Sequence, residues 1–265
     1  YNAPGRVRSI IVDSRDNSNK TWIIGGVGGG IYKTTDSGVN YEHLTPELDN
    51  AYITALVQGE QNPNIIYAGA GAAWTYASAG FSGGSMYKSN DGGNNWSNIS
   101  LKDSLGNVDQ KFRSISRMVI DPKDDDILTI ATWAGSSFAN DNAAGFIYRT
   151  EDGGNTWKKL YHGLPNDQDS NGDGQVDDDD LPVSNMGKIG LAISPQNPDV
   201  LYAAIEMERL TGGVYRSENR GESWKKMSNA ISGATGPHYY QELYASIMSE
   251  MNARIDAVFE NHSAS

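Results

Sequence analysis

One ten-residue design occurs four times in this chain, so the chain has to be read as a repeat before anything else about it is argued. The copies are "YKTTDSGVNY" (32–41), "YKSNDGGNNW" (87–96), "YRTEDGGNTW" (148–157) and "YRSENRGESW" (215–224). Their boxes begin at Thr34, Ser89, Thr150 and Ser217, which are 55, 61 and 67 residues apart. Before each box stand two strand-length runs of β-branched and aromatic residues bounded by Gly, Asp, Asn and Pro. That composition marks strands and hairpins. The first strands read "VRSIIVDS", "YITALVQG", "SRMVIDPK" and "IGLAISPQ"; the second read "TWIIGG", "IIYAGAG", "ILTIATW" and "VLYAAIE". A third strand leads into each box, and a fourth leaves it. Four antiparallel strands at this period read as blades of a β-propeller, so the expected fold class is all-β.

The box residues suit a tight turn. Asp36, Asp91 and Asp152 can accept hydrogen bonds from the amides of their own turn, and Asn219 offers similar geometry in the fourth copy. Gly38, Gly93, Gly154 and Gly221 occupy the place where the backbone needs a positive φ. Thr34, Ser89, Thr150 and Ser217 can tie the other end of the turn, while Tyr41, Trp96, Trp157 and Trp224 begin the outer strands and can pack between blades. These roles are structural rather than catalytic.

The pattern S/T-x-D-x-G-x-x-W resembles the Asp-box, or BNR repeat, found in sialidases, family-74 xyloglucanases and sortilin-type (VPS10) propellers. "GGGIYKTTDSG", "GKIGLAISPQNPDVLYAAIE", "GGVYRSENRGESW" and "HYYQELYAS" look most like bacterial sortilin-like proteins labelled BNR glycosyl hydrolase. The resemblance runs from residue 5 to about 245 and implies a propeller scaffold that serves several activities.

Blades are expected at about 5–48, 50–101, 113–163 and 186–229, within a unit spanning 1–235. Four blades are fewer than a closed propeller commonly has, so the ring reads as partial, completed by another chain or by further blades. Residues 236–265 admit two readings. In the resembling family "YYQELYAS" opens a further blade. The apolar residues at 240, 243, 244, 247, 248, 251, 255, 258 and 259 instead follow helical spacing.

Composition removes several functions. The net charge is −12, which argues against nucleic acid as a partner because phosphate binding needs a basic face. There is no Cys, which excludes disulfides, thiolate metal sites and Cys nucleophiles. No apolar run is long enough to insert in a membrane.

The sharpest chemical motif is "DSNGDGQVDDDD" (169–180), inserted between the third and fourth blades at 167–180. It fits a twelve-residue calcium loop, with Asp169, Asn171, Asp173, Asp177 and Asp180 at oxygen-ligand positions, Gln175 supplying its carbonyl and Gly174 the sharp turn. So dense a set of carboxylates repels itself unless a cation is present. The last position is Asp rather than a longer bidentate Glu, and the flanks "YHGLPNDQ" and "LPVSNMG" do not suit helices. The expected cofactor is calcium in a structural role.

In a propeller, the loops between second and third strands share a face with the blade-to-blade links, opposite the box turns. These loops are long and aromatic in blades two and three, "AAWTYASAGFSGG" (72–84) and "WAGSSFANDNAAG" (133–145). Trp74, Tyr76, Phe81, Trp133 and Phe138 can form a stacking surface for sugar rings or peptide side chains, or can pack on one another. Arg113 and Arg117, with Arg6 and Lys188, stand near the starts of innermost strands, where a cationic mouth could take a carboxylate. Glu206, Glu208 and Asp141 fall on the same face, but sequence does not set the separation that a glycosidase pair requires. The four His residues lie in unrelated contexts, and "GGVGGG" (25–30) joins two strands, so it is a hairpin rather than a phosphate loop.

The reading that follows is a propeller binding module for a protein or glycan ligand, secreted or on the cell surface, its signal segment absent from this chain, and stiffened by calcium. The alternatives are a glycoside hydrolase of xyloglucanase or sialidase type and a structural subunit of an extracellular assembly.

Overall fold

The computed structural model describes residues 6–27, 29–45, 52–71, 85–102, 106, 112, 114–132, 145–165, 167, 186–207 and 212–229. They form four sheets of four antiparallel strands, and no helix occurs among them. Sheet one holds β1 (Arg6–Val12), β2 (Trp22–Val27), β3 (Gly30–Thr34) and β4 (Glu42–His43). Sheet two holds β5 (Ile53–Gln58), β6 (Ile66–Ala70), β7 (Met86–Ser89) and β8 (Ser97–Asn98). Sheet three holds β9 (Ile115–Asp121), β10 (Asp124–Thr132), β11 (Ile147–Thr150) and β12 (Lys158–Leu160). Sheet four holds β13 (Met186–Ile193), β14 (Leu201–Met207), β15 (Gly213–Ser217) and β16 (Lys225–Asn229). Strands pair in chain order within every sheet, as four consecutive hairpins require. The expectation of an all-β chain of four-stranded antiparallel sheets is met.

The innermost strands β1, β5, β9 and β13 neighbour one another in turn, so the sheets stack face to face in sequence order. Three apolar cores lie between them. Ile23 and Ile31 of sheet one meet Ile53, Ile66 and Ala68 of sheet two. Tyr67 and Met86 of sheet two meet Ile115, Ile130 and Tyr148 of sheet three. Ala131, Ile147 and Leu160 of sheet three meet Ile189, Leu201 and Ile205 of sheet four. A strand's two faces serve two different cores, which is why these strands are apolar on both sides.

One residue type recurs at the point of closest approach. The second-strand residue paired with the residue three before the box is Gly25, Gly69 and Ala131 in the first three sheets. A side chain begun at Gly25 would come 2.5 Å from Cγ2 of Ile53, and one begun at Gly69 would come 2.6 Å from Cγ2 of Ile115. These glycines let the next sheet's isoleucine sit against bare backbone. Hydroxyls reinforce the join. Thr54 donates to the Ile115 carbonyl at 2.5 Å, and Ser116 to the Ile189 carbonyl at 3.2 Å.

Elements departed from the sequence reading mainly at their ends. Strand β10 was expected to start at Ile127, yet its ladder reaches back to Asp124, which pairs with Asp121 across a two-residue turn. The outer strands β4 and β8 contain only two residues each, because beyond them the hydroxyls of Thr45 and Ser100 accept from the Ile31 and Met86 amides in place of a backbone carbonyl.

Candidate functional site

The repeated turns lie at one edge of the sheets, beside the turns joining first and second strands. Gly92 donates to the Asn64 carbonyl, Gly153 to that of Asp126 and Arg220 to that of Asp199. Each turn closes on itself by one scheme. The Thr34 hydroxyl donates to Oδ1 of Asp36 at 2.7 Å and accepts from the Gly38 amide at 2.9 Å. The Asp36 carboxylate also accepts from the amide and side chain of Asn40. Ser89, Asp91 and Gly93 repeat this, as do Thr150, Asp152 and Gly154, and Ser217, Asn219 and Gly221. The four glycines have φ between +86° and +97°, a region that a side chain disfavours.

This bonding stabilises the charged carboxylates. The backbone and side chain of Asn40 pull Asp36 down to about 2, the side chain and backbone of Asn95 do the same to Asp91, and Thr156 does so to Asp152. A carboxylate held so low cannot act as a general acid near neutrality, and its lone pairs are already engaged. The structural role expected for these residues agrees with that.

Several charged side chains at this edge bind across from one sheet to the next. Arg15 grips Asp13 at 2.6 Å and reaches Asn64 of sheet two. Burial acts to raise the Asp13 carboxyl, but bonds from Arg15 and Gln58 bring it to about 2. The Asp125 carboxylate, on sheet three, accepts from the amides of Glu60, Gln61 and Asn62 on sheet two. Lys88 meets Asp126, while Arg149 and Lys158 share Glu222. The bonds from Lys158 and Arg149 hold Glu222 below the usual carboxylate range against the effect of burial.

The opposite edge carries the segments that sequence singled out. One leaves sheet two after Gly71 and returns at Ser85; the next leaves sheet three after Thr132 and returns at Gly145. Their roots are pinned. Gly71 donates to the Tyr52 carbonyl, Ala70 to that of Ser85, Thr132 to that of Phe146 and Gly145 to that of Met186. The aromatic residues Trp74, Tyr76, Phe81, Trp133 and Phe138 lie outside the described residues, as do Arg113, Asp141 and Glu208. So do all six residues named for the calcium loop, Asp169, Asn171, Asp173, Gln175, Asp177 and Asp180, and the segment 230–265.

Arg117 is described. It lies in β9, half-buried, and donates at 2.9 Å to the carbonyl of Ser116. Arg15, Arg149, Arg216 and Arg220 each meet a carboxylate, whereas no described carboxylate reaches Arg117. Arg6 and Lys188 take positions in β1 and β13, and Glu206 one in β14. No cluster of three or more His, Asp or Glu residues suited to a metal occurs among the described residues. No helix among them is long and apolar enough to cross a membrane.

Sequence reasoning missed the small-residue slots on β2, β6 and β10 and the ion pairs that stitch the sheets. Aligning the copies on their boxes would have exposed Gly25, Gly69 and Ala131 as equivalent. The pairing of Arg149 with Glu222, 73 residues away, left no comparable signal.

No family model matches the chain, and neither does any curated protein. Solved structures do. The GH74 enzyme of Niastella koreensis superposes with a TM-score of 0.57 at 19% identity, over 83% of this chain and 30% of that one. The GH74 xyloglucanase of Xanthomonas campestris gives 0.57 at 20% identity, over 83% of this chain and 29% of that one. YCF48 from Cyanidioschyzon merolae gives 0.51 at 18% identity, over 88% and 59%. The chain thus spans under a third of the length of those GH74 enzymes. At such identities the likeness establishes the fold, a β-propeller architecture, and nothing further.

Proposed function

We propose that this chain is an Asp-box propeller binding module of the sortilin-like kind, taking a protein or glycan ligand on the edge opposite the repeated turns. One observation supports this above the rest: two long segments, 72–84 and 133–144, spring from adjacent sheets on pinned roots at that edge. Rigid strands that present long aromatic segments are a common way to build a recognition surface. Trp74, Tyr76, Phe81, Trp133 and Phe138 would stack on the ligand, and Arg113 and Arg117 would meet an acidic group on it.

The sequence 169–180 holds Ca²⁺ in this reading, through Asp169, Asn171, Asp173, Asp177, Asp180 and the Gln175 carbonyl. Calcium ties down the link between sheets three and four and takes no part in chemistry. With Asp at the last position, the loop suits the millimolar calcium found outside cells, so the reading places the protein there or on the cell surface.

A binding screen on glycan and peptide arrays, in buffered calcium, tests the proposal. Ligands recognised by the chain should lose at least about tenfold in affinity on Trp74→Ala or Trp133→Ala, as the loss of a stacking aromatic implies. Both variants should keep the parent's melting temperature. Undiminished binding by both would remove the proposed face. Release of reducing sugar from xyloglucan, or of sialic acid from sialosides, would replace the binding module with a hydrolase.

A further inference from the structure

A glycine stands five residues before each box, at Gly29, Gly84, Gly145 and Gly212, just ahead of the third strand. Its surroundings differ between sheets one and three. A side chain begun at Gly29 would come 2.9 Å from the Tyr32 hydroxyl, the far end of a flexible side chain in its own sheet. One begun at Gly145 would come 2.5 Å from the Gly187 carbonyl oxygen, 3.0 Å from that of Thr132 and 3.2 Å from that of Met186. These are backbone atoms, and Met186 and Gly187 belong to sheet four. Gly145 is not among the glycines with positive φ. What excludes a side chain there is the approach of another backbone, not the residue's own conformation.

The bonds around Gly145 build a neck. The Thr132 amide donates to the Phe146 carbonyl at 2.8 Å, and the Phe146 amide donates back to the Thr132 hydroxyl at 3.2 Å. The two ends of the segment 133–144 are thereby closed on each other. The Gly145 amide then donates at 2.5 Å to the carbonyl of Met186, the first residue of β13. The Ser116 hydroxyl donates to the Ile189 carbonyl a few residues further on, so the start of β13 is held to sheet three at two points. The segment of sheet two has a different footing. Gly71 donates to Tyr52 and Ala70 to Ser85, all at the ends of sheet two itself. By these bonds 72–84 is rooted in one sheet and 133–144 in two.

From this we infer that Gly145 is a positioning residue for ligand recognition, registering the segment that carries Trp133 and Phe138 against sheet four; the inference rests on the recognition edge proposed above. It acts through the neck and not by contact with a ligand. A carbon resting on a carbonyl oxygen lies about 3.3–3.6 Å away, so a methyl at 145 forces the neck and β13 apart by about 1 Å. That stretches the bond from the Gly145 amide to Met186. Trp133 follows Thr132 directly in the chain, so a displaced neck carries it along. A recognition surface has to be held to within about 0.5 Å, which a shift of this size exceeds.

Gly145→Ala compared with Gly59→Ala tests the inference. Gly59 lies at the opposite edge, and a methyl there would come 2.6 Å from the Asn62 carbonyl oxygen, a clash of the same kind away from the neck. Both variants should melt below the parent. Glycan and peptide arrays are then probed with all three proteins over a range of concentrations. On spots that the parent recognises, the half-saturating concentration should rise at least about tenfold for Gly145→Ala and stay within about twofold for Gly59→Ala. Undiminished binding by Gly145→Ala overturns the inference, and so does an equal loss in both variants. Hydrogen exchange supplies a measurement without ligand. In the parent the Gly145 amide should exchange as slowly as the amides of β13, and free exchange there overturns the inference even if Gly145→Ala fails to fold. In Gly145→Ala, peptides covering 133–144 should exchange at least about tenfold faster than in the parent, with β10 unchanged; equal rates overturn it as well. A parent that binds no spot removes the recognition edge, and this inference with it, whereas bound spots indifferent to Gly145→Ala remove the inference alone.

Discussion

Replacing Gly69 by Ala should destabilise the protein through the sheet that follows, not through the strand that carries it. In isolation a glycine in a strand is unfavourable by roughly 0.5–1 kcal/mol relative to Ala, so the substitution would help wherever there is room. There is none at this position. The new methyl would fall 2.6 Å from Cγ2 and 2.8 Å from Cβ of Ile115, which is completely buried. Forcing a methyl into a closed core costs about 1–3 kcal/mol, so the net loss should be about 1–2 kcal/mol. For a chain of this size that corresponds to roughly 2–8 °C in melting temperature. Ile115→Ala alone should cost about 2–5 kcal/mol through the cavity it leaves. The double variant should be more stable than the sum of the two losses by at least about 0.5 kcal/mol, since the smaller side chain relieves the clash. Thermal and urea unfolding followed by circular dichroism measure all three. A Gly69→Ala protein as stable as the parent, or strict additivity in the cycle, would refute the idea that β6 and β9 are this close because residue 69 is glycine. Ala131→Gly is the control, because the third slot already holds a methyl beneath Ile189.

The repeated turns give a second test: Asp91→Ala removes a carboxylate that accepts from Asn94, Asn95 and Ser89, and should cost about 1 kcal/mol in melting experiments. The pH profile follows from the same bonds. Asp13, Asp36, Asp91 and Asp152 are each held at about 2 in the folded state, below the value of about 3.9 for a free aspartate. Their contribution is therefore complete above about pH 4 and is lost as pH falls toward 2; melting temperatures should be level from pH 7 to 5 and drop steeply below 4. For calcium, chelation should lower the melting temperature and readdition restore it, and Asp173→Ala should abolish the response; the same melt with and without chelator removes the site. Glu222→Ala removes Arg149's carboxylate partner on sheet four but leaves it paired with Glu151, and should cost about 1 kcal/mol by thermal melting, more than Glu218→Ala at an exposed pair.

The fold was legible because its signals are local. Thr34, Asp36 and Gly38 define a turn through bonds that span four residues, and their three repetitions set the number of sheets. The candidate site was less so. Trp157 was expected to pack between blades, and its indole does donate to Ile99 of the preceding sheet. Tyr41, in the same place of the first copy, is left exposed because nothing described lies before sheet one. Arg117 could be named as a candidate cation, but that no described carboxylate reaches it could not be read from neighbours in the chain.

By itself the sequence determined strands, turns and their order, since hydrophobic alternation and side-chain-to-backbone bonds act within a few residues. Only the tertiary structure decided which face of each sheet is covered and by what. That depends on a glycine and an isoleucine some fifty residues apart arriving at the same point, as Gly69 and Ile115 do. The residues of Val7, Ile10 and Val12 look like those of any other first strand; what sets them apart is that no described sheet stands in front of them.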